Sequence, residues 1–328
     1  MLMGLPKKAF SRRSIVCLAG GLLVALVGAA GDLAAQTAAS LPNRQATVHA
    51  LSMTTPLGAS SPQGDVEEIT CRLSLTCARC HVLSTDFAQA AAVDDSWIDA
   101  STCKLAEVKE GNAGKIWVDG ITVMSETLES VRAAVLYLRD YAPEGYRLPK
   151  DLLARYDISF TFGIVPLITR GTSAGLSFLM SAYSAAAAIP IMPQVAVTGA
   201  ITEDGKVGPV GAIPEKVAAA AQLGFSTVII PASHYAELSL LPPDLPRRIR
   251  IILADTADQA LFHALGQAGP RGAEYDAMCK NYLAAVALAN QGETGQALSI
   301  FSQLATMYPE DYSLRVWVQY LQALLPTG

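Results

Sequence analysis

Ser173 and Lys216 are the two side chains whose types and settings best suit covalent chemistry. Ser173 stands in Arg170-Gly171-Thr172-Ser173-Ala174-Gly175, a turn running into an apolar, helix-forming stretch. Lys216 ends Gly208-Pro209-Val210-Gly211-Ala212-Ile213-Pro214-Glu215-Lys216, a Gly/Pro-rich turn that also enters a helix. A serine hydroxyl is a weak nucleophile at neutral pH and needs a base beside it. A lysine can be that base once its amine is neutral, and burial disfavours the ammonium. Lys216 follows Val210, Ala212, Ile213 and Pro214 and precedes Val217 and a run of alanines. A helix starting at Ser173 would aim free N–H groups at an oxyanion, with Gly171 and Thr172 supplying backbone donors. Taken alone, the two segments also allow a plainer reading: a helix-capping serine and a solvated first-turn lysine.

Other residues offer competing chemistry. Gly171-x-Ser173-x-Gly175 fits the nucleophile elbow of α/β-hydrolases. That assignment requires His234 or His263, with Asp204 or Asp255, and leaves Lys216 idle. Cys77-Ala78-Arg79-Cys80-His81 fits the C-x-x-C-H attachment of a c-type haem, and Cys71, Cys77, Cys80 and Cys103, with His81, are conceivable zinc ligands. In an exported chain the same four cysteines point first to two disulfides, with three pairings open. On that preference no cofactor and no metal are expected. His49, His234 and His263 stand outside any ligand pattern and are expected to be structural or surface residues.

The elements that must position these residues follow from periodicity. Residues 46–53, 66–75, 103–109 and 115–118 suit strands, with Ile69, Cys71, Leu73 and Leu75 on one face. A helix is expected over 126–141, where Leu128, Val131, Val135 and Leu138 share a stripe. A buried strand over 157–165 leads to the serine turn. A helix over 173–188 follows and is ended by Pro190 and Pro193. Strands at 194–201, 226–230 and 250–253 and helices at 216–223 and 258–265 complete an α+β pattern of mixed sheet and packed helices. Beyond the linker 266–272 the chain turns purely helical. Ala284, Ala285, Gly292, Ala297, Phe301 and Pro309 are spaced like one tetratricopeptide repeat. Residues 273–328 suit a helical cap on the main domain or a platform for a protein partner.

Residues 1–39 read as a secretory signal: Lys7, Lys8, Arg12 and Arg13, then an apolar run, then small residues. The chain is expected to be exported to a periplasmic or extracellular space, or membrane-anchored if the signal is kept. Residues 40–114 would form N-terminal strands with a cysteine-containing insertion. The formal net charge is −5, and the signal carries +3 of it, so removal leaves −8. An acidic chain without basic clusters argues against nucleic acid as a partner.

An ordered set of segments goes further than any one motif. Glu129-Ser130-Val131, Arg155-Tyr156-Asp157-Ile158, Gly171-Thr172-Ser173-Ala174-Gly175, Val195-Ala196-Val197-Thr198-Gly199, Gly205-Lys206-Val207, the Lys216 segment and Val228-Ile229-Ile230-Pro231 follow one another. Residues 115–265 thereby resemble the proteolytic domain of the Lon protease family. The resemblance implies Ser173 as nucleophile, Lys216 as base, Thr198 as the residue orienting the amine, and polypeptide as substrate. Several positions depart from the family. Arg170 and Thr172 replace the Asp and Pro usual around Gly171. Ala200 replaces a Glu, Ala212 a glycine, and Ser159 and Thr161 stand for paired histidines. No G-x-x-x-x-G-K-[ST] loop occurs, and the stretch from Gly111 to Lys115 only half resembles one. The expectation is an exported, ATP-independent serine endopeptidase acting on flexible or unfolded polypeptides, with homo-oligomers allowed. A non-catalytic adaptor working through the C-terminal helices is the alternative.

Overall fold

A computed structural model describes residues 44–54, 63–75, 116–118, 125–148, 156–162, 171–243 and 245–325. Two long strands, β1 (Arg44–Thr54) and β2 (Gln63–Leu75), pair antiparallel from Arg44↔Leu73 to Thr54↔Gln63. β2 pairs antiparallel with β4 (Tyr156–Phe162), and β3 (Ile116–Val118) lies parallel to β4. On the other side of β1 the strands run parallel: β5 (Val195–Val197), β8 (Thr227–Pro231) and β9 (Arg250–Ala254). The seven-stranded order is β3-β4-β2-β1-β5-β8-β9. The expected α+β class, with a mixed sheet and packed helices, is what the chain adopts.

Helices cover both faces of this sheet, and the side-chain alternation shows why. Val195, Val197, Ile229, Ile252 and Ala254 join one core with α1 (Ser125–Leu136), α2 (Gly175–Ala187) and α5 (Ala257–Leu265). Ala196, Val228, Ile230, Ile251 and Leu253 join a second core with α3 (Ile213–Gln222) and the short α4 (Leu245–Arg248). A strand buried on both faces reads as a continuous apolar run, as Val228-Ile229-Ile230 does. α2 is buried along nearly its whole length, which accounts for its Leu, Phe, Ala and Ser composition.

Two expectations are corrected, and one is refined. The helix expected to open at Ser173 opens at Gly175, with Ala174 as N-cap and no side-chain cap bond. Ser173 therefore lies in the turn and caps nothing. The same helix ends at Ala188, which is left-handed at φ 54°, ahead of Pro190. The strand expected over 194–201 is broken at Thr198 and Gly199. β5 stops there, and β6 (Ala200–Ile201) turns away to pair with β7 (Val207–Gly208). The helix expected over 126–141 is present over that range, and its last turn, Tyr137–Tyr141, is π-helical, which keeps Tyr137 and Leu138 buried.

Cys71, expected in a disulfide, is instead a free buried thiol on β2, opposite Ala46 and Phe160. Burial pushes its thiol well above the ordinary range, so it is inert core. Cys77, Cys80, His81 and Cys103, the signal, the stretch from Gly111 to Lys115 and Arg170 lie outside the described residues.

The C-terminal helices α6 (Gly272–Asn290), α7 (Thr294–Met307) and α8 (Tyr312–Leu324) share a third core. Phe301 stacks on Trp317 with ring centroids 5.1 Å apart. The segment between α7 and α8 is stitched to β9. Leu253 N–H donates to the Glu310 carbonyl at 2.7 Å, and Ile251 N–H to Ser313 Oγ at 3.0 Å. Arg250 Nε donates to Asp311 Oδ2 at 2.6 Å, and Asp311 is wholly buried. Among the described residues no helix is long and apolar enough to cross a membrane.

Candidate active site

The site forms where three local structures meet: the turn before α2, the break after β5, and the turn before α3. Each exists for a local reason. Gly171 has φ +86°, a left-handed conformation that suits glycine. The turn it starts is held from α1: Thr127 Oγ1 donates to the Gly171 carbonyl at 3.0 Å, and Gly171 N–H donates to Glu126 Oε1 at 3.3 Å. The break after β5 then grips the far side. Gly199 N–H and Thr198 Oγ1 both donate to the Ser173 carbonyl, at 2.9 and 3.2 Å, and Leu176 N–H donates to the Gly199 carbonyl at 2.9 Å.

Lys216 arrives from the opposite core. It lies in the first turn of α3, between Ile213 and Val217, both fully buried, and is itself 3 % exposed. Its Nζ donates to Thr198 Oγ1 at 3.3 Å. Thr198 spends its own proton on the Ser173 carbonyl, so toward the lysine it can only accept. One hydroxyl thus ties the amine to the residue that carries the serine. Burial lowers the Lys216 amine to about 8. That is the condition under which a lysine can act as a base near neutral pH.

Ser173, Thr198 and Lys216 are therefore brought together. Gly171 and Thr172 lie in the same turn, but the Gly171 N–H is occupied by Glu126. Among the described residues the Thr172 and Ser173 N–H groups carry no hydrogen bond, so these remain as donors for an oxyanion. Among the described residues the serine hydroxyl likewise has no hydrogen-bond partner.

The histidines are engaged elsewhere. His263 is buried, with Nε2 on Glu310 Oε1 at 2.9 Å and Nδ1 3.3 Å from Arg250 Nη2. His234 bonds Val210 N–H and Glu237. Asp204 is in an exposed ion pair with Lys206. The His-dependent hydrolase assignment finds no support in these pairings. Among the described residues no group of His, Cys, Asp and Glu is arranged to hold a metal.

Three contributors escape a reading of the sequence. Glu126 and Thr127 fall only within the helix expected over 126–141, although together they fix Gly171. Their contact spans more than forty residues of chain, and no local pattern encodes it. His234 was set aside as ordinary, yet it holds the turn that leads to Lys216.

Comparison with known proteins bears on the domain that carries this site. Residues 107–267 match the Lon protease (S16) C-terminal proteolytic domain. Lon protease of Geobacter metallireducens is 35 % identical over 137 residues, covering 42 % of this chain and 16 % of that protein. Lon protease 1 of Sorangium cellulosum is 35 % identical over 137 residues, again 42 % of this chain and 17 % of the relative. Lon protease of Bacillus thuringiensis is 34 % identical over 139 residues. The chain thus spans about one-sixth of the length of the curated relatives it matches.

Proposed function

From the premise of a Lon-type proteolytic domain in residues 107–267, we propose that this chain is a serine endopeptidase working through Ser173 and Lys216. The observation that carries this reading is the Lys216–Thr198–Ser173 linkage. A buried, partly neutral amine is bonded to the hydroxyl that also holds the serine's carbonyl.

Neutral Lys216 takes the Ser173 proton as Oγ attacks the peptide carbonyl. The tetrahedral oxygen is met by the Thr172 and Ser173 N–H groups. The lysine ammonium then gives its proton to the leaving amine, and the peptide bond breaks. Water, deprotonated by the same amine, attacks the acyl ester and frees Ser173. Thr198 keeps one amine N–H occupied, which directs the lone pair.

The proposal extends to setting. The basic, apolar and small-residue succession of residues 1–39 supports export. The lack of a phosphate-binding loop in these 328 residues supports cleavage without ATP. Substrates are then chains that are already flexible.

The test is cleavage of a fluorogenic unfolded protein by wild type and Ser173→Ala, with and without ATP. Wild type should cleave equally in both, and Ser173→Ala should lose at least about a thousandfold. Equal, negligible cleavage by the two proteins would sink the reading. A strict need for ATP would remove its ATP-independent part alone.

A further inference from the structure

We propose that His234 is a positioning residue for Lys216, acting by holding the turn Gly208–Ala212 in the shape that delivers the lysine. This rests on the reading of Lys216 as the base. Val210 N–H donates to His234 Nε2 at 2.9 Å, and His234 Nδ1 lies 2.7 Å from Glu237 Oε1. A backbone N–H can only donate, so Nε2 is the unprotonated nitrogen and Nδ1 carries the hydrogen, directed at the carboxylate. Glu237 thereby fixes the tautomer that His234 needs. The imidazole is buried, at 7 % exposed, on the 3-10 helix after β8, and its partner Glu237 is half-buried.

The turn needs an external hold. Ala212 is the N-cap of α3, with φ 59° and ψ 44° and no side-chain cap bond. N-caps normally take extended geometry, and the left-handed region is costly for a residue with a Cβ. Only Ala188 shares this conformation among the described non-glycine residues, and it ends a helix, where such geometry is common. Ala212 instead starts one, and Lys216 N–H donates to its carbonyl at 3.1 Å. A strained turn thus sets where the helix begins, and therefore where the Lys216 side chain enters the core. The Val210–His234 bond comes from a different element and resists relaxation of that turn.

The experiment compares His234→Gln, whose amide oxygen can replace Nε2 as acceptor, with His234→Met, which fills the space without one. Glu237→Ala disturbs the tautomer from a half-buried position. Ala212→Gly, in the His234→Met background, relieves the strain. Two readouts are taken: kcat and KM on the unfolded substrate, and the pH at which Lys216 becomes reactive to an amine-modifying reagent, followed by mass spectrometry in a Ser173→Ala background. His234→Met should lower kcat about tenfold with KM within about twofold, as expected for loss of one buried hydrogen bond. His234→Gln should recover most of that, and Ala212→Gly part of it. The Lys216 midpoint should rise from near 8 toward that of an ordinary lysine in His234→Met and return in His234→Gln. His234→Gln as slow as His234→Met, or a midpoint unmoved by both His234→Met and Glu237→Ala, would overturn the proposal. Should His234→Met not fold, an unmoved midpoint in Glu237→Ala overturns it equally. The amine titration needs no cleavage, so failure of the peptidase reading would show separately.

Discussion

At the scale of single residues, the decisive quantity is the protonation of Lys216. The folded amine titrates near 8, against 10.5 for a free one. Below pH 8 the buried ammonium is held at a cost. The difference corresponds to about 3 kcal/mol at about 1.4 kcal/mol per pH unit. Between the two values the unfolded chain binds more protons than the folded one, so stability rises with pH across that window. Lys216→Met should therefore abolish cleavage while stabilising the fold by up to about 3 kcal/mol at pH 7. That gain should fade between pH 8 and 10.5. Urea denaturation at pH 7 and pH 10 checks both signs; a destabilised Met variant at pH 7 would contradict the assignment. For wild type, kcat should climb as pH rises through 8 and then level off, because the base must be neutral.

At the scale of elements, the site depends on how closely α3 lies against β2. A Cβ on Gly64, at the start of β2, would come 2.4 Å from the Glu215 carbonyl oxygen, next to Lys216. Backbone cannot yield cheaply there. Gly64→Ala should push α3 away, costing about 1–3 kcal/mol in stability and lowering kcat more than it raises KM. Thermal melting with steady-state kinetics would show it, and an unchanged melting temperature would refute the close approach. Gly64 also marks what sequence could and could not disclose. The strands at 46–53, 66–75, 226–230 and 250–253 were legible from alternation and apolar runs, and so were the turns bearing Ser173 and Lys216. The resemblance supplied Thr198. Hidden were features decided by partners distant in the chain: the start of α2 at Gly175, the break at Thr198 and Gly199, the Glu126–Thr127 hold on Gly171, and the His234 bond to Val210. Cys71 lies among cysteines that suggest pairing, whereas its alternation with Ile69 points it into the core.

At the scale of the whole molecule, the C-terminal helices are joined to the sheet through a buried ion pair. Arg250 reaches Asp311, Tyr275 and Met278 at once, beside His263. Removing one partner strands the other's charge in the interior. Arg250→Met should cost about 3–5 kcal/mol, on the order of 10 °C in Tm, despite conserving volume. A loss under about 1 kcal/mol, measured by calorimetry, would show that Asp311 is not left unpaired. The stitching of residues 310–313 to β9 has a further result, which concerns company rather than stability. Among the described residues β9 is the last strand on its side of the seven-stranded order, and an open strand edge invites pairing with any extended chain. Extended chains are what a peptidase of unfolded proteins would meet most. By occupying the β9 backbone with its own Glu310 and Ser313, the molecule withholds a template on which extended chains could otherwise accumulate as co-aggregates.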